Sequence, residues 1–305
     1  MRASLFVIVW SSAFIAGIVG VGAGSPLLLT FVRFAAAGVL LGSFALAVRA
    51  PWPKGKQLAH VMVAGVLIQA VQFSAFYTAM SLHMPAAVVA LVQGLNPVVI
   101  ALVAERWLGE RVTPRQWAGF GLGAVGGGMA VAGRVSLAPA TIVLSVVGLL
   151  AVSLGTVYQK RFAGDMDVRT GTATQFLVSA PLVGLAALTL EKPHVSDPRG
   201  FALAAGWLVL VNSIGAFLLL NTMLRNAPAS RVSTLFFLTP AVTAVMAWVV
   251  VGQRLDALTL AGLVVGAAGV LLASGRVRGF RRGSAAVPPG SSPGRTSPDA
   301  LARRT

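Results

Sequence analysis

The sequence predicts an all-α membrane protein of ten transmembrane helices in two inverted-topology five-helix repeats, and three observations carry that prediction. Of its 305 residues, 56% are hydrophobic and only 10% are charged, where soluble domains carry about 25% charged residues. Apolar runs of about 20 residues, the length that spans a bilayer core, recur from Ser4 to Ala273. The stretch that begins at Pro85 returns without a gap 143 residues later, at Pro228.

Hydropathy and the breaks between runs define the spans in order. The first, Ser4 to Gly22, follows Arg2 and precedes the small residues Gly22 to Ser25. A cleaved leader has that pattern too, but nineteen residues exceed the usual apolar core of one, so the span is read as retained. Pro26 to Val48 is followed by the polar break RAPWPKGKQ, then come Leu58 to Leu82 and Pro85 to Leu108. The glycine-rich Thr113 to Val131 completes the first five. Ala138 to Tyr158, Thr170 to Leu190, Phe201 to Met223, Ala229 to Val251 and Leu255 to Ala273 form the second five. After Gly275 the chain is rich in Pro, Ser, Gly and Arg. Such a segment buries too little apolar surface to offset its ordering entropy, and a disordered basic tail is expected over 277–305.

The net charge of +16 raises nucleic acid as a partner, but the placement of the charge argues for topology instead. With a cytoplasmic N-terminus, nineteen Lys and Arg residues fall in inside segments, seven of them after Gly275, and only Arg134, Lys192, Arg199 and Arg254 fall outside. This asymmetry satisfies the positive-inside rule and places both termini in the cytoplasm. The expected surroundings are a cytoplasmic or inner membrane, with the lipid bilayer as a partner and no nucleic acid.

In the repeat, Pro97 meets Pro240, Gly109 meets Gly252, Arg111 meets Arg254, and Gly119, Gly123 and Gly126 meet Gly262, Gly266 and Gly269. Apolar composition produces chance matches of Ala and Val, not this register of Pro, Gly and Arg. The domains are therefore read as 1–134 and 135–276. Each holds five spans, an odd number, so equivalent segments lie on opposite sides of the membrane. Inverted halves are a recurrent construction of secondary transporters.

The segments WSSAFIA, PLLLTFVRFAAAG, FYTAMSLHMPAAVVALVQGLNPVVIALVAERWLGERV and TVYQKRF, in this order with the matching stretch from Asn221 to Ala273, resemble the EamA family of the drug/metabolite transporter superfamily. The resemblance runs essentially from Ser4 to Gly275 and implies a ten-helix carrier with a central cavity, exporting an amino acid or other metabolite. One departure is Gln253, where the family often has an acidic residue; Glu110 keeps it in the first half.

Polar and aromatic residues inside the spans are the candidate substrate contacts: Trp10, Ser12, Arg33, Gln72, Tyr77, Gln93, Asn96, Tyr158, Gln175 and Asn212, with Ser11, Gln69 and Asn221 in the same class. Each alone is as readily an interhelical hydrogen bond; as a set they suit a neutral or zwitterionic small molecule. Arg33 lies about 10 Å into its span by helical rise. A charge at that depth must snorkel, cap a carbonyl or bind an anionic group, facing protein or water rather than lipid. Pro97 and Pro240 lie at matched depth near the bilayer midplane and are candidate hinges or kinks. A helix-interior proline frees the carbonyl four residues earlier, here those of Gln93 and Phe236. Gln93 and Asn96, three apart, are expected on one helical face. The G-x-x-x-G pairs Gly119/Gly123 and Gly262/Gly266 suit close helix packing, either within the bundle or in a homodimer.

Other functions find no support. The absence of cysteine removes disulfides and thiolate chemistry; His60, His83 and His194 lack ligand-like spacing; and no cofactor or metal is expected. H-E-x-x-H and G-x-x-x-x-G-K-[ST] are absent and no G-x-S-x-G falls within a span, which argues against a membrane-embedded enzyme or an ATP-driven pump. A non-transporting scaffold leaves the repeat without a purpose. No Asp or Glu occurs at mid-depth in a span, so a buried carboxylate proton relay is not expected.

Overall fold

The computed structural model describes residues 2–84, 86–109, 112–131, 138–252 and 257–273. Pro85, Glu110, Arg111, Arg134, Gln253, Arg254 and the 277–305 tail lie outside them. Helix α1 (Arg2–Ala23) and helix α2 (Pro26–Ala47) are followed by a long rod in which α3 (Gly55–Gly65) passes through a π-helical stretch, Val66–Val71, into α4 (Gln72–Ser81). Leu95 alone separates α5 (Ala86–Gly94) from α6 (Asn96–Leu108). Then come α7 (Pro114–Val131), α8 (Pro139–Phe162) and α9 (Val168–Leu190). A second rod runs from α10 (Pro198–Trp207) through a π-helical stretch, Leu208–Ala216, into α11 (Phe217–Asn226). The last elements are α12 (Ala229–Ser233), a 3-10 stretch Thr234–Leu238, α13 (Thr239–Val251) and α14 (Ala257–Ala273).

The described residues contain no strand, only an isolated antiparallel bridge between Gly24 and Val195. Helix occupies the body of every predicted span. Seven stretches among the described residues are long and apolar enough to cross a bilayer: Ser4–Ala23, Pro26–Ala47, Gly55–Ser81, Val88–Leu108, Pro139–Phe162, Val168–Leu190 and Pro198–Asn226. The others fall short for visible reasons. α7 starts on the polar sequence PRQ and is diluted by glycine, α13 has an apolar length of only Thr239–Val250, and α14 has 17 residues.

Polarity is arranged as a lipid solvent requires. Leu46, Leu185, Leu188, Leu203, Val249 and Val264 are exposed, while Ser11, Gln69, Gln72, Asn96, Ser153 and Gln175 are buried. Hydrocarbon cannot hydrogen-bond a side-chain amide or hydroxyl, so polar groups turn inward.

Among the described residues, two helix pairs make the most extensive contacts. A Cβ on Gly126 would lie 2.3 Å from the Gly266 nitrogen and 2.6 Å from the Gly262 oxygen, and one on Gly269 would lie 2.6 Å from the Gly123 nitrogen and 2.7 Å from the Gly119 oxygen. The glycine register therefore forms a seam between α7 and α14 within one chain. In the second pair, α2 against α9, a Cβ on Gly38 would meet the Leu177 backbone at 3.2 Å, and Phe34 stacks on Phe176 with ring centroids 5.6 Å apart.

The 143-residue spacing of the sequence returns in the backbone. Leu95 and Leu238 both precede a restarted helix. Gly109 and Gly252 both end a helix in the left-handed region, at φ 65° and 66°, where a side chain would be strained. The π-helical stretches at Val66–Val71 and Leu208–Ala216 overlap at the same spacing.

On one face, the α1–α2 turn is tied to the α9–α10 loop. His194 N–H donates to Ser25 Oγ at 2.8 Å, Ser196 N–H donates to the Ala23 carbonyl at 2.8 Å, and Glu191 Oε1 accepts from the N–H groups of Leu27 and Leu28 at 3.0 Å each. A carboxylate at a helix N-terminus is favoured by the unpaired amides and the dipole. Two further joints tie other loops: Thr170 Oγ1 donates to the Pro51 carbonyl at 2.6 Å, and Gln57 Nε2 to Asp165 at 3.2 Å.

The seam and the Glu191 joint each give a test. Gly126→Val should cost about 1–3 kcal/mol through overpacking, read as a lower unfolding temperature in detergent. Gly121→Ala, with open space around its Cβ position, should be neutral; equal loss in both variants would remove the seam as the cause. Burial pushes the Glu191 carboxyl above its ordinary value, outweighing its two amide bonds. A raised carboxyl pKa contributes stability below the unfolded value that is lost as pH rises through the folded one. Glu191→Gln, which keeps an acceptor but cannot ionise, should abolish that part of the pH slope. Superimposable pH–stability curves for the two proteins would contradict this.

Candidate functional site

A pocket whose walls enclose about 360 Å³ of space, part of it open to the outside, is lined by Trp10, Ala13 and Phe14 of α1, Arg33 of α2, Gln72, Phe73, Phe76, Tyr77 and Met80 of α4, Gln93 of α5, Asn212 in the second π-helical stretch and Phe217 of α11. Trp10, Arg33, Gln72, Tyr77, Gln93 and Asn212, which the sequence singled out, thus share one space. The remaining wall is aromatic and apolar. Phe73, Phe76, Tyr77 and Met80 follow the i, i+3, i+4, i+7 spacing of one helical face, a signal that reading only polar residues passes over.

Arg33 dominates the electrostatics of the pocket. It is 0% exposed, so it does not snorkel, and its bonds go to hydroxyls rather than to a helix carbonyl. Nε donates to Ser213 Oγ at 2.7 Å and Nη1 to Tyr77 Oη at 2.8 Å. The guanidinium carbon is 4.1 Å from the Phe73 ring centroid and 5.6 Å from that of Phe34, within cation–π range.

Trp10 Nε1 donates to Gln93 Oε1 at 3.2 Å. The Trp10 ring is held by Phe6, Phe217 and Phe236 at centroid distances of 5.1–5.3 Å. Ser12 lies outside the lining: its hydroxyl donates to the Val9 carbonyl at 2.7 Å and accepts from Trp207 Nε1 at 2.9 Å, and Asn212 Nδ2 donates to that same carbonyl. Both amide atoms of Gln72 and the Asn212 Oδ1 are buried without a partner. Unpaired buried polar atoms are costly in a folded protein, and these belong to residues of the pocket wall.

The other candidates lie elsewhere. Asn96 Oδ1 accepts from Ser153 Oγ at 2.6 Å, away from the pocket. The turn at Leu95 ends the regular helix between Gln93 and Asn96, so the one-face expectation does not hold. Tyr158 Oη pairs with His60 Nδ1 at 2.7 Å. Gln175 Nε2 donates to Gln159 Oε1 at 2.6 Å, Gln159 Nε2 to Asn221 Oδ1 at 2.8 Å and Asn221 Nδ2 to Thr172 Oγ1 at 2.7 Å. This chain adjoins a second pocket of about 240 Å³ that Gln159, Lys160, Asn221 and Arg225 help to line.

Pro97 and Pro240 are the second residues of α6 and α13 and do not line the main pocket. The Phe236 carbonyl is not left free: the chain tightens to 3-10 geometry and Thr239 N–H donates to it. Among the described residues no three His, Asp or Glu side chains gather as metal ligands.

Comparison with known proteins places this arrangement in a family. The EamA-like transporter family matches residues 2–131 and again 139–275. The chain is 26% identical over 252 residues to the uncharacterized inner membrane transporter YedA of Escherichia coli K12, covering 82% of this chain and 81% of that one. It is 28% identical over 288 residues to a probable terminal-alkyne amino-acid exporter of Streptantibioticus cattleyicolor, covering 91% and 94%. Protein PecM of Dickeya dadantii is 28% identical over 266 residues, covering 84% and 85%. A solved crystal structure aligns with TM-score 0.73 at 22% identity over 90% of this chain and 95% of the other, which shows a shared fold. The chain belongs to the EamA-like transporter family and is a membrane transporter.

Trp10 gives a test of the pocket wall. Trp10→Phe removes the bond to Gln93 and part of the indole volume but keeps one aromatic ring in place, and should cost about 1–3 kcal/mol. Trp10→Ala also empties the aromatic contacts and should cost about 3–5 kcal/mol. Thermal unfolding of both variants checks the difference; equal destabilisation would mean that the hydrogen bond, not the ring, holds this wall.

Proposed function

We propose that this member of the EamA-like transporter family is a secondary carrier of a small metabolite of amino-acid size. It works by alternating access between two inverted five-helix halves, 1–134 and 135–276, with the 360 Å³ pocket as its binding site. The observation that carries the reading is the origin of the walls: α1, α2, α4 and α5 come from the first half, and Asn212 and Phe217 from the second. A site built from both halves changes its access when the halves rock against each other.

Ten membrane crossings, with α7, α13 and α14 completing the seven longer spans, are supported by the backbone features that recur at the 143-residue spacing and by the two separate family matches. The excess of basic residues on one side supports cytoplasmic termini, and the description of YedA supports an inner membrane. An amino acid as cargo is supported by the relative described as an amino-acid exporter and by pocket walls that combine an aromatic lining with a few polar groups. A carrier rather than an enzyme fits the transporter relatives.

Purified protein in liposomes should carry counterflow of its metabolite without ATP. Gln93→Ala should weaken apparent affinity about two- to tenfold, the loss of one neutral hydrogen bond, whereas Asn96→Ala, whose side chain faces Ser153, should leave affinity near normal. Because the native chain has no cysteine, a cysteine at position 93 reports cleanly on access, and substrate should protect it from a water-soluble thiol reagent. A position 93 that never labels, or a Gln93→Ala variant with unchanged affinity across a full titration, would remove this pocket as the site.

A further inference from the structure

The charge of the pocket is one-sided. Arg33 is completely buried, and among the described residues it has no carboxylate partner; its polar contacts are the neutral hydroxyls of Ser213 and Tyr77. These bonds use two of the five N–H donors of a guanidinium. No residue of the pocket lining is acidic. Hydroxyls and ring faces solvate a cation but do not neutralise it, and a buried charge left unpaired is costly. Gln72, on the same wall, is 0% exposed and has neither amide atom satisfied. A ligand that supplies one negative charge and two acceptor oxygens answers the unpaired cation and the Gln72 amide donor, because a carboxylate accepts from a guanidinium and from an amide N–H at once.

We infer that Arg33 and Gln72 form a carboxylate-recognition element, and that the carried molecule is a monocarboxylate, free or zwitterionic, with an apolar body. The inference rests on the pocket being the carrier's binding site. A single cation selects one carboxylate rather than two. The unpaired Asn212 Oδ1 is an acceptor available to an ammonium group, so an α-amino acid fits without any acidic residue in the wall. Trp10, Phe14, Phe76 and Phe217 receive the apolar part. Cationic compounds and neutral ones lacking a carboxylate are rejected, because they leave Arg33 unpaired or place like charge beside it.

The test uses the full-length protein in lipid nanodiscs and four probes with one carbon skeleton: L-leucine, L-leucinamide, L-leucinol and 4-methylpentanoate. Binding is read by the shift in unfolding temperature and by tryptophan fluorescence. The two acids should bind the wild type roughly ten- to a hundredfold more tightly than the amide and the alcohol, the range expected for a hydrogen bond to a charged group. Arg33→Gln should erase that preference, and Arg33→Lys should retain part of it, since lysine keeps the charge but not the fork. Four results would overturn the inference: equal binding of acids and amide, an Arg33→Gln variant that folds and keeps the preference, no binding of either acid, or stabilisation by chloride alone equal to that by the acids. Arg33-dependent acid binding with no flux of either acid in liposomes would instead sink the carrier reading and leave the recognition element standing.

Discussion

A bilayer core offers a side chain no hydrogen-bond partner, and this constraint decides most of what the fold does. Every amide and hydroxyl on these helices must find a partner inside the protein. Ser11 reaches the Thr239 carbonyl, Ser153 reaches Asn96, and Gln175, Gln159, Asn221 and Thr172 form a chain in which each donor meets an acceptor. The exceptions therefore carry information. Among the described residues the unpaired buried atoms are those of Gln69 and Gln72, the Asn212 carbonyl oxygen, Asn96 Nδ2, the Thr239 and Thr243 hydroxyls and Trp52 Nε1, and of these Gln69, Gln72 and Asn212 lie in or next to the π-helical stretches of the two long rods. A π-helical stretch shifts the phase of a helix by part of a turn, and here it coincides with polar groups at the middle of the bundle.

The pairings also reveal where the two halves agree and where they part. At a spacing of 142–143 residues, Ser11 corresponds to Ser153 and Thr239 to Asn96, and each serine bonds the other's half. Phe34 corresponds to Phe176, and the two rings stack on each other. At the same spacing Arg33 corresponds to Gln175. One side of the molecule thus places a buried cation against neutral hydroxyls, while the other places an amide in a satisfied neutral chain. The scaffold repeats, and the chemistry is asymmetric.

Much of the fold was legible in the sequence because composition and length speak directly to a lipid solvent, and because proline and glycine keep their register across the repeat. Depth was legible too: Arg33 had to face protein, and it does. Rotation about the helix axis was not. Helical spacing placed Asn96 on the face of Gln93 and location within a span put Tyr158 among the candidates, but Asn96 turns to Ser153 and Tyr158 to His60. The break at Leu95 is what separates Asn96 from Gln93, and a hydropathy profile does not register a single turn residue. The π-helical stretches are equally silent, since one extra residue in a turn leaves an all-apolar run all-apolar. The aromatic face of α4 was readable from its spacing, but aromatic residues in an apolar span look like ordinary packing until a cavity is seen beside them.

On the alternating-access reading, the contacts differ in how much movement they allow. Along the α7–α14 seam, backbone meets backbone at Gly126 and Gly269 with no room for a methyl group, so sliding there creates either a clash or a void, and packed interiors tolerate neither. The joints between loops are of another kind. The α1–α2 turn is held to the α9–α10 loop by a handful of hydrogen bonds, two of them to a single carboxylate, and the Pro51 and Asp165 joints use one bond each. Each such bond is worth about 0.5–1.5 kcal/mol net, somewhat more to a charged group, and at a membrane surface water replaces it. Access to a site between halves is therefore governed at the loops, where contacts are few and exchangeable, while the glycine seam keeps the two halves in register as they open.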